Sequence, residues 1–310
     1  MSNPFDNIWT EKFRPYNLDE LVLSTDNRTI INKFTQDRDI PNLLLIGSPG
    51  IGKSSLSKII VRSILECQYL YINASDENGI DTIRSKVTQF AQIRSIDGNI
   101  KVIILDEADG QSQDGQRALR NTMEEYAEIT RFILTANYRH RIIPALQSRC
   151  QSLDLTPPLD QCIERIKTIL DVEGIDITSK QNDLLNNFIR TNYPDLRLII
   201  NEVQKFCVDK VLTIKDTKNN KQFVSQIFTL IQKGAVLKLR KYIIENEEKF
   251  NSDYPMLLKV LFDYVDNTNI SDAKKKMCLV IIAEALYRSA FVVDQEINCY
   301  SCLIQLSESV

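Results

Sequence analysis

The stretch Gly47-Ser48-Pro49-Gly50-Ile51-Gly52-Lys53-Ser54 limits what this chain can fold into more than any other. Its glycines let a backbone curl tightly enough for successive N–H groups to face an anion. To the left, the apolar run Leu43 to Ile46 is bounded by Pro41 and Gly47 and has the length of a buried parallel strand. To the right, Leu56, Ile59, Ile60 and Ile64 recur at helical spacing. A glycine loop between a strand and a helix predicts a phosphate cradle at the helix N-terminus, with Gly50, Ile51, Gly52 and Ser55 among its nucleotide-binding residues. Lys53 supplies the mobile charge for the outer phosphates of ATP, and the Ser54 hydroxyl is placed to hold Mg²⁺.

A second strand is expected at Tyr69 to Ile72, and a third at Lys101 to Glu107, ending in the paired acids Asp106 and Glu107. Ligands gather at the C-terminal edge of a parallel sheet, so two carboxylates delivered there match the metal-holding element of P-loop NTPases. Asp106 is expected to hold Mg²⁺, directly or through water. Alternation along the strand turns Glu107 the other way, which makes it the candidate to polarise the attacking water. Phe132 to Asn137 reads as another strand, which brings Asn137 to the same edge, within reach of that water or of the terminal phosphate. A last short strand is expected at Ser152 to Leu155, just after Gln147-Ser148-Arg149-Cys150, and Arg149 there is either a surface arginine or a finger for a neighbouring subunit.

Three helical stretches flank these strands. The first runs from about Asn27 to Phe34. Another carries Ile80, Ile83, Val87 and Phe90 as its apolar stripe, with Arg84, Lys86 and Arg94 alongside, and the third spans Ser112 to Glu128 with Arg117 and Arg120 on its polar side. Thr156-Pro157-Pro158 ends the βα alternation. Three short helices follow, at Cys162 to Leu170, Leu184 to Ile189 and Leu196 to Phe206, and read as a lid with Arg197 early in its last helix. A polar linker over Thr213 to Lys221 and an all-helical remainder complete an α/β fold with three domains: 1–156 binding nucleotide on a parallel sheet, 157–222 as helical lid and linker, and 223–310 as a helical collar.

Composition narrows the chemistry. A net charge of −3 over 310 residues argues against wholesale coating of nucleic acid, so DNA contact must come from a local basic surface. With a single histidine, His140, a general base is expected to be a carboxylate. The seven cysteines are scattered and odd in number, which suits free thiols in a reducing compartment. Cys299-x-x-Cys302 lacks a second pair to complete a zinc site. Met1 to Thr10 has neither a basic segment nor an apolar one of the secretory kind, so a cytoplasmic protein is expected, in the host cytoplasm if the chain is viral.

With these motifs placed, the sequence resembles the small ATPase subunits of sliding-clamp loaders within the AAA+ superfamily. The shared residues are Trp9-Thr10-Glu11-Lys12-Phe13-Arg14-Pro15, Asn73-Ala74-Ser75-Asp76, Gly79-Ile80-Asp81 with Arg84, Asp106-Glu107-Ala108-Asp109, Ala118-Leu119-Arg120 with Met123-Glu124, and Gln147-Ser148-Arg149-Cys150. Replication factor C subunits are similar over the first domain. Pro194-Asp195-Leu196-Arg197 and the compact helical tail look more like the loader subunit of T-even-type phages. The resemblance implies that Thr10, Glu11, Lys12, Phe13 and Val22 line the base and ribose end of the nucleotide. By it, Asn137 is a first sensor, Arg197 a lid sensor and Arg149 a finger acting in trans. It also implies a ring-like pentamer, in which several copies join a different subunit through the collar, and which grips a ring-shaped clamp and places it on primer-template DNA. Arg84, Lys86 and Arg120 would lie on or near the track for template phosphates, where charge alone does not separate them from Arg94 and Arg117.

Three other functions fit some of these motifs. Asp106-Glu107-Ala108-Asp109 spells a helicase tetrapeptide, but no second βα lobe follows Pro158. A scaffold that binds nucleotide without turning it over would not need Lys53, Asp106, Glu107 and Arg149 together. Another AAA+ remodeller, an initiator or a chaperone, would differ in having no dependence on a clamp.

Overall fold

Leu43 to Ile46, four consecutive aliphatic residues, become an inner strand of a five-stranded parallel sheet. The computed structural model describes residues 7–75, 83–95, 100–214, 218–250 and 252–309. Its strands are β1 (Leu43–Ile46), β2 (Tyr69–Asn73), β3 (Lys101–Asp106), β4 (Thr130–Ala136) and β5 (Gln151–Asp154), in spatial order β2-β3-β4-β1-β5. The register sets Ile46 beside Ala136 and Asn73 beside Asp106, so the last residues of four strands, with Gly47 and Asn137 just beyond, reach one edge.

Helices cover both faces, as a parallel sheet requires. On one face, α2 (Thr25–Asp37) and α3 (Lys53–Ile59), the latter continuing through a wider turn to Ile64, pack Ile31, Leu56 and Ile60 on Leu43, Leu45, Ile104 and Ile133. On the other, α4 (Thr88–Gln92) and α5 (Gln113–Glu125) pack Ala91, Leu119 and Met123 on Leu44, Ile103, Leu105 and Leu134. The four central aliphatics of β3, Val102 to Leu105, are fully buried, and truncating any of them to Ala would cost about 2–5 kcal/mol. A short helix α1 (Trp9–Lys12) precedes these elements, and α6 (Pro144–Gln147) leads into β5.

After β5 come α7 (Leu159–Val172), α8 (Ser179–Asn192) and α9 (Leu196–Phe206), each longer than or equal to the helix read from the sequence, because their polar ends carry no apolar period. Their shared core, with Ile166, Leu185 and Ile199, also takes in Trp9 and Val22 from the N-terminal arm. Hydrogen bonds fix that docking. The Trp9 N–H donates to Gln204 Oε1 at 3.0 Å, and Arg165 donates to the Phe13 carbonyl at 3.2 Å. A small hairpin, β6 (Cys207–Val208) and β7 (Val211–Leu212), turns through Asp209 and Lys210 at positive φ. Two-residue strands are too short to show a period, so no sequence signal announces them.

Backbone contacts divide the chain into two compact units, Met1–Ile214 and Lys215–Val310. The second holds α10 (Lys218–Gln232), α11 (Val236–Ile244), α12 (Tyr254–Asp266), α13 (Asp272–Ser289) and α14 (Gln295–Ser309) around one core that includes Ile227, Leu258, Ile282 and Leu303. Helix α10 begins at Lys218, so the expected linker over Thr213 to Lys221 is shorter than its polar composition implies. Cys299 and Cys302 lie in that core, fully buried, and among the described residues no group of histidine, cysteine or carboxylate side chains is arranged to hold a metal. Among the described residues, no helix is long and apolar enough to cross a membrane.

Candidate functional site

The glycine loop leaves β1 and closes on α3, with Gly52 at the helix N-cap and a φ of 97°. Gly50 is the more constrained. At φ 75° it lies so close to Asp195 that a Cβ there would come within 1.8 Å of the carboxylate Oδ1. Asp195 caps α9 by accepting the Leu198 N–H at 2.9 Å, and the Arg197 N–H donates to the Gly50 carbonyl at 3.3 Å. The last lid helix therefore starts on the loop itself.

Lys53 opens α3 and is buried, with its ammonium donating to the carbonyls of Gly47 and Ser48 at 2.8 Å each and to Asn137 Oδ1 at 2.7 Å. Burial lowers its pKa to about 8, against the pull of Asp106, Asp109 and Glu107 in the other direction. One residue on, Ser54 Oγ donates to Asp106 Oδ1 at 2.8 Å. Thr135 donates to the same oxygen at 2.6 Å and accepts the Glu107 N–H at 2.9 Å, so one β4 hydroxyl fixes both acids. Asp109, also buried, accepts the N–H groups of Asn137 and Tyr138 at 3.2 and 3.0 Å, which sets the turn that presents Asn137 to Lys53. Neither Thr135 nor Asp109 carries a role read from the sequence, although each stands two residues from one that does.

The acids do not follow strand alternation to the end. Strand β3 stops at Asp106, and Glu107 takes a left-handed conformation at φ 57°, ψ 42°. Its exposed side chain is aimed by this turn, not by the pleat expected from the sequence.

A cleft of about 640 Å³, partly open to solvent, lies between the N-terminal arm, the loop and α9. Thr10, Glu11, Phe13 and Val22 line one side, Gly50, Ile51, Gly52 and Ser55 the floor, and Leu196, Arg197 and Ile200 the lid side. Lys12 departs from this set. Its ammonium pairs with Glu173 at 2.6 Å, because the short helix α1 turns it from the cleft toward the end of α7. Arg14, Pro15, Glu20, Leu21 and Arg165 complete the lining, and none of them carries a role read from the sequence.

Arg149 is exposed just past α6, does not line the cleft, and forms an ion pair with Glu124 of α5. Arg120 shares that carboxylate at 3.8 Å and also donates to Asn121, while Arg117 pairs with Asp114 at 2.8 Å. Lys86 and Arg94 are exposed. The Arg84 side chain, and Asp76, Gly79, Ile80 and Asp81 of the sequence motifs, lie outside the described residues.

The donor set fits a hard divalent cation. A serine hydroxyl and a carboxylate share one hydrogen bond at the mouth of the loop, and oxygen ligands of this kind suit Mg²⁺. The comparisons agree with this chemistry. Residues 43–157 match the model of the ATPase family associated with various cellular activities (AAA). The replication factor C small subunit of Methanococcus vannielii is 31% identical over 96% of this chain and 98% of its own length. The chain belongs to the replication factor C small subunit family. A second member, from Sulfurisphaera tokodaii, is 33% identical over 97% of this chain and 95% of its own. As a family member, the chain is a clamp-loader small subunit of the AAA+ class, as the N-terminal arm and the Ser148-Arg149-Cys150 motif implied. A RuvB variant of Thermotoga maritima superposes with a TM-score of 0.55 at 17% identity, covering 96% of this chain and 89% of that one, and shares the fold.

Proposed function

We propose that this family member binds ATP and Mg²⁺ in the cleft and hydrolyses ATP to open a ring-shaped sliding clamp and load it at primer-template junctions, together with further copies of itself and a different clamp-loader subunit. The observation that carries the reading is the meeting of Lys53, Ser54, Asp106 and Asn137 within hydrogen-bond distance at one sheet edge, below the cleft formed by arm and lid. Thr10, Glu11, Phe13 and Val22 would take the base and ribose. The loop N–H groups and Lys53 would take the phosphates, and Arg197 would read their presence from the lid. Mg²⁺ bound by Ser54 and Asp106 would neutralise phosphate charge. Glu107 would accept a proton from the attacking water, which Asn137 helps to orient. Arg149 lies outside its own site, which suits action on a neighbouring copy.

The three-domain division is part of the proposal, with 1–156 and 157–222 each contributing residues to the cleft and 223–310 forming the collar. Met277, Val280, Tyr287 and Phe291 make an exposed apolar stripe along and just beyond α13, Tyr287 and Phe291 each 73% exposed, which supports assembly through this region. DNA would follow phosphate contacts from Arg84, Lys86 and Arg120, with Arg94 and Arg117 as further candidates.

The test is the ATP turnover of a reconstituted assembly. Turnover should rise with primer-template DNA and rise again with the clamp, because each ligand favours the closed arrangement in which Arg149 reaches a neighbouring phosphate. An assembly whose turnover ignores both ligands would overturn the clamp-loading reading.

A further inference from the structure

Three hydroxyls from three elements converge on the Asp106 carboxylate. Ser54 and Thr135 both donate to Oδ1, at 2.8 and 2.6 Å, and Tyr71 of β2 donates to Oδ2 at 2.6 Å. The sheet register makes this possible. Tyr71 pairs with Ile104 and Asn73 with Asp106, so Tyr71 stands on the same face as Asp106 and one diagonal step away, within reach of a long aromatic side chain. The Lys58 ammonium lies 4.4 Å from the centre of the Tyr71 ring, one turn of α3 beyond Ser54, and holds the ring in place.

The exposures are informative. Asp106 is only 7% exposed, so each carboxylate oxygen needs a partner, whereas Tyr71 is 37% exposed and could have given its hydroxyl to water. Instead the hydroxyl turns inward to the one oxygen that Ser54 and Thr135 leave free. A carboxylate held through a single oxygen can pivot about it. One held through both cannot. Ser54 is itself a proposed metal ligand, so Thr135 and Tyr71 are the pair left to fix the orientation of Asp106 once the cation is bound.

We propose that Tyr71 is a positioning residue for the divalent cation, holding Asp106 in the orientation that the metal requires. The inference rests on the nucleotide-binding reading above and adds to it a residue outside the loop, the paired acids and the lid. Outer groups that orient a metal ligand commonly change metal affinity about 10–100-fold when removed. Because one hydrogen bond to Asp106 is lost and Thr135 remains, the change should fall at the lower end.

Binding of a fluorescent ATP analogue, titrated with Mg²⁺, tests this on the full chain. Tyr71→Phe keeps the ring over Lys58 and deletes only the hydroxyl. It should need roughly tenfold more Mg²⁺ for half-saturation, while analogue affinity in EDTA and the thermal midpoint stay at wild-type values. Tyr69→Phe is the control. Tyr69 lies on the same strand and face, but its hydroxyl accepts from Arg62 Nε at 2.8 Å and donates nothing to Asp106, so this variant should titrate like wild type. A Tyr71→Phe titration that superimposes on the wild-type curve would overturn the inference, as would an equal loss of analogue affinity with and without Mg²⁺. Wild-type protein that binds the analogue with no Mg²⁺ dependence would overturn the metal site and this inference with it, whereas wild-type protein that does not bind the analogue at all would overturn the nucleotide reading.

Discussion

The ammonium of Lys53 lies 2.7 Å from the side-chain oxygen of Asn137. Eighty-four positions separate the two in sequence, and the β1–β4 register brings them together by pairing Ile46 with Ala136. With the Gly47 and Ser48 carbonyls, Asn137 completes a three-oxygen cage around the charge. Lys53→Ala should remove nucleotide binding while keeping the fold, since it deletes the charge facing the phosphates. Asn137→Ala should act mainly on turnover. Analogue binding and steady-state hydrolysis, measured on both variants, check the contrast. Unchanged nucleotide affinity in Lys53→Ala would sink the loop assignment.

Glu107→Gln should bind ATP and Mg²⁺ at near wild-type affinity and lower turnover by roughly 10²–10⁴, the range for loss of a general base. The left-handed backbone at Glu107 is anchored by the Thr135 hydroxyl, not by the glutamate side chain, so the amide should occupy the same place. Single-turnover hydrolysis measures the effect, and wild-type rates would remove Glu107 from the mechanism.

Arg149→Ala should spare binding and reduce assembly turnover by roughly 10³–10⁵, as arginine fingers do. In the isolated chain Arg149 rests on Glu124, an exposed pair of little stability. Glu124→Gln should therefore leave the thermal midpoint nearly unchanged. Turnover followed over a range of protein concentrations, and in mixtures with a hydrolysis-dead copy, shows whether Arg149 acts in trans. A rate per subunit that is constant throughout would argue against it.

Gly50→Ala meets two obstacles, the φ of 75° and the Asp195 carboxylate at 1.8 Å from the new Cβ. Backbone strain alone should cost about 1–3 kcal/mol. Adding Asp195→Ala should relieve the clash but not the strain, at the further loss of the α9 cap. Urea unfolding of the single and double variants separates these terms, and a Gly50→Ala protein as stable as wild type would contradict the observed loop conformation.

Burial raises every cysteine thiol, with Cys150, Cys162, Cys299 and Cys302 pushed up to about 12 and Cys67 and Cys207 to about 11. The folded chain therefore favours the neutral thiol. That contribution is fully present below the ordinary value of 9.0 and is lost as pH rises from there toward 12, where the unfolded chain has already released its protons. Cys302→Ala should remove part of the alkaline loss of stability seen in urea midpoints. At pH 8 the native protein should also alkylate far more slowly than the unfolded one, read by mass spectrometry.

Local pattern alone carried the strand, glycine loop and helix at Leu43 to Ile64, the acids closing β3, the lid helices and an all-helical tail. In each, the period of apolar residues or the chemistry of a few neighbours is complete within a short stretch. What needed tertiary structure was every relationship between distant residues. Register placed Asn137 on Lys53 and Tyr71 on Asp106, and neither pairing has a trace in composition or spacing. A left-handed residue at Glu107 broke the alternation assumed for it, and Lys12 joined Glu173 instead of the cleft its neighbours line. The physical reason is common to all of these. Periodicity reports which face of an element is buried, but the direction in which a polar side chain reaches is decided by the partner that satisfies it, and that partner is brought near only when the sheet and the lid are assembled.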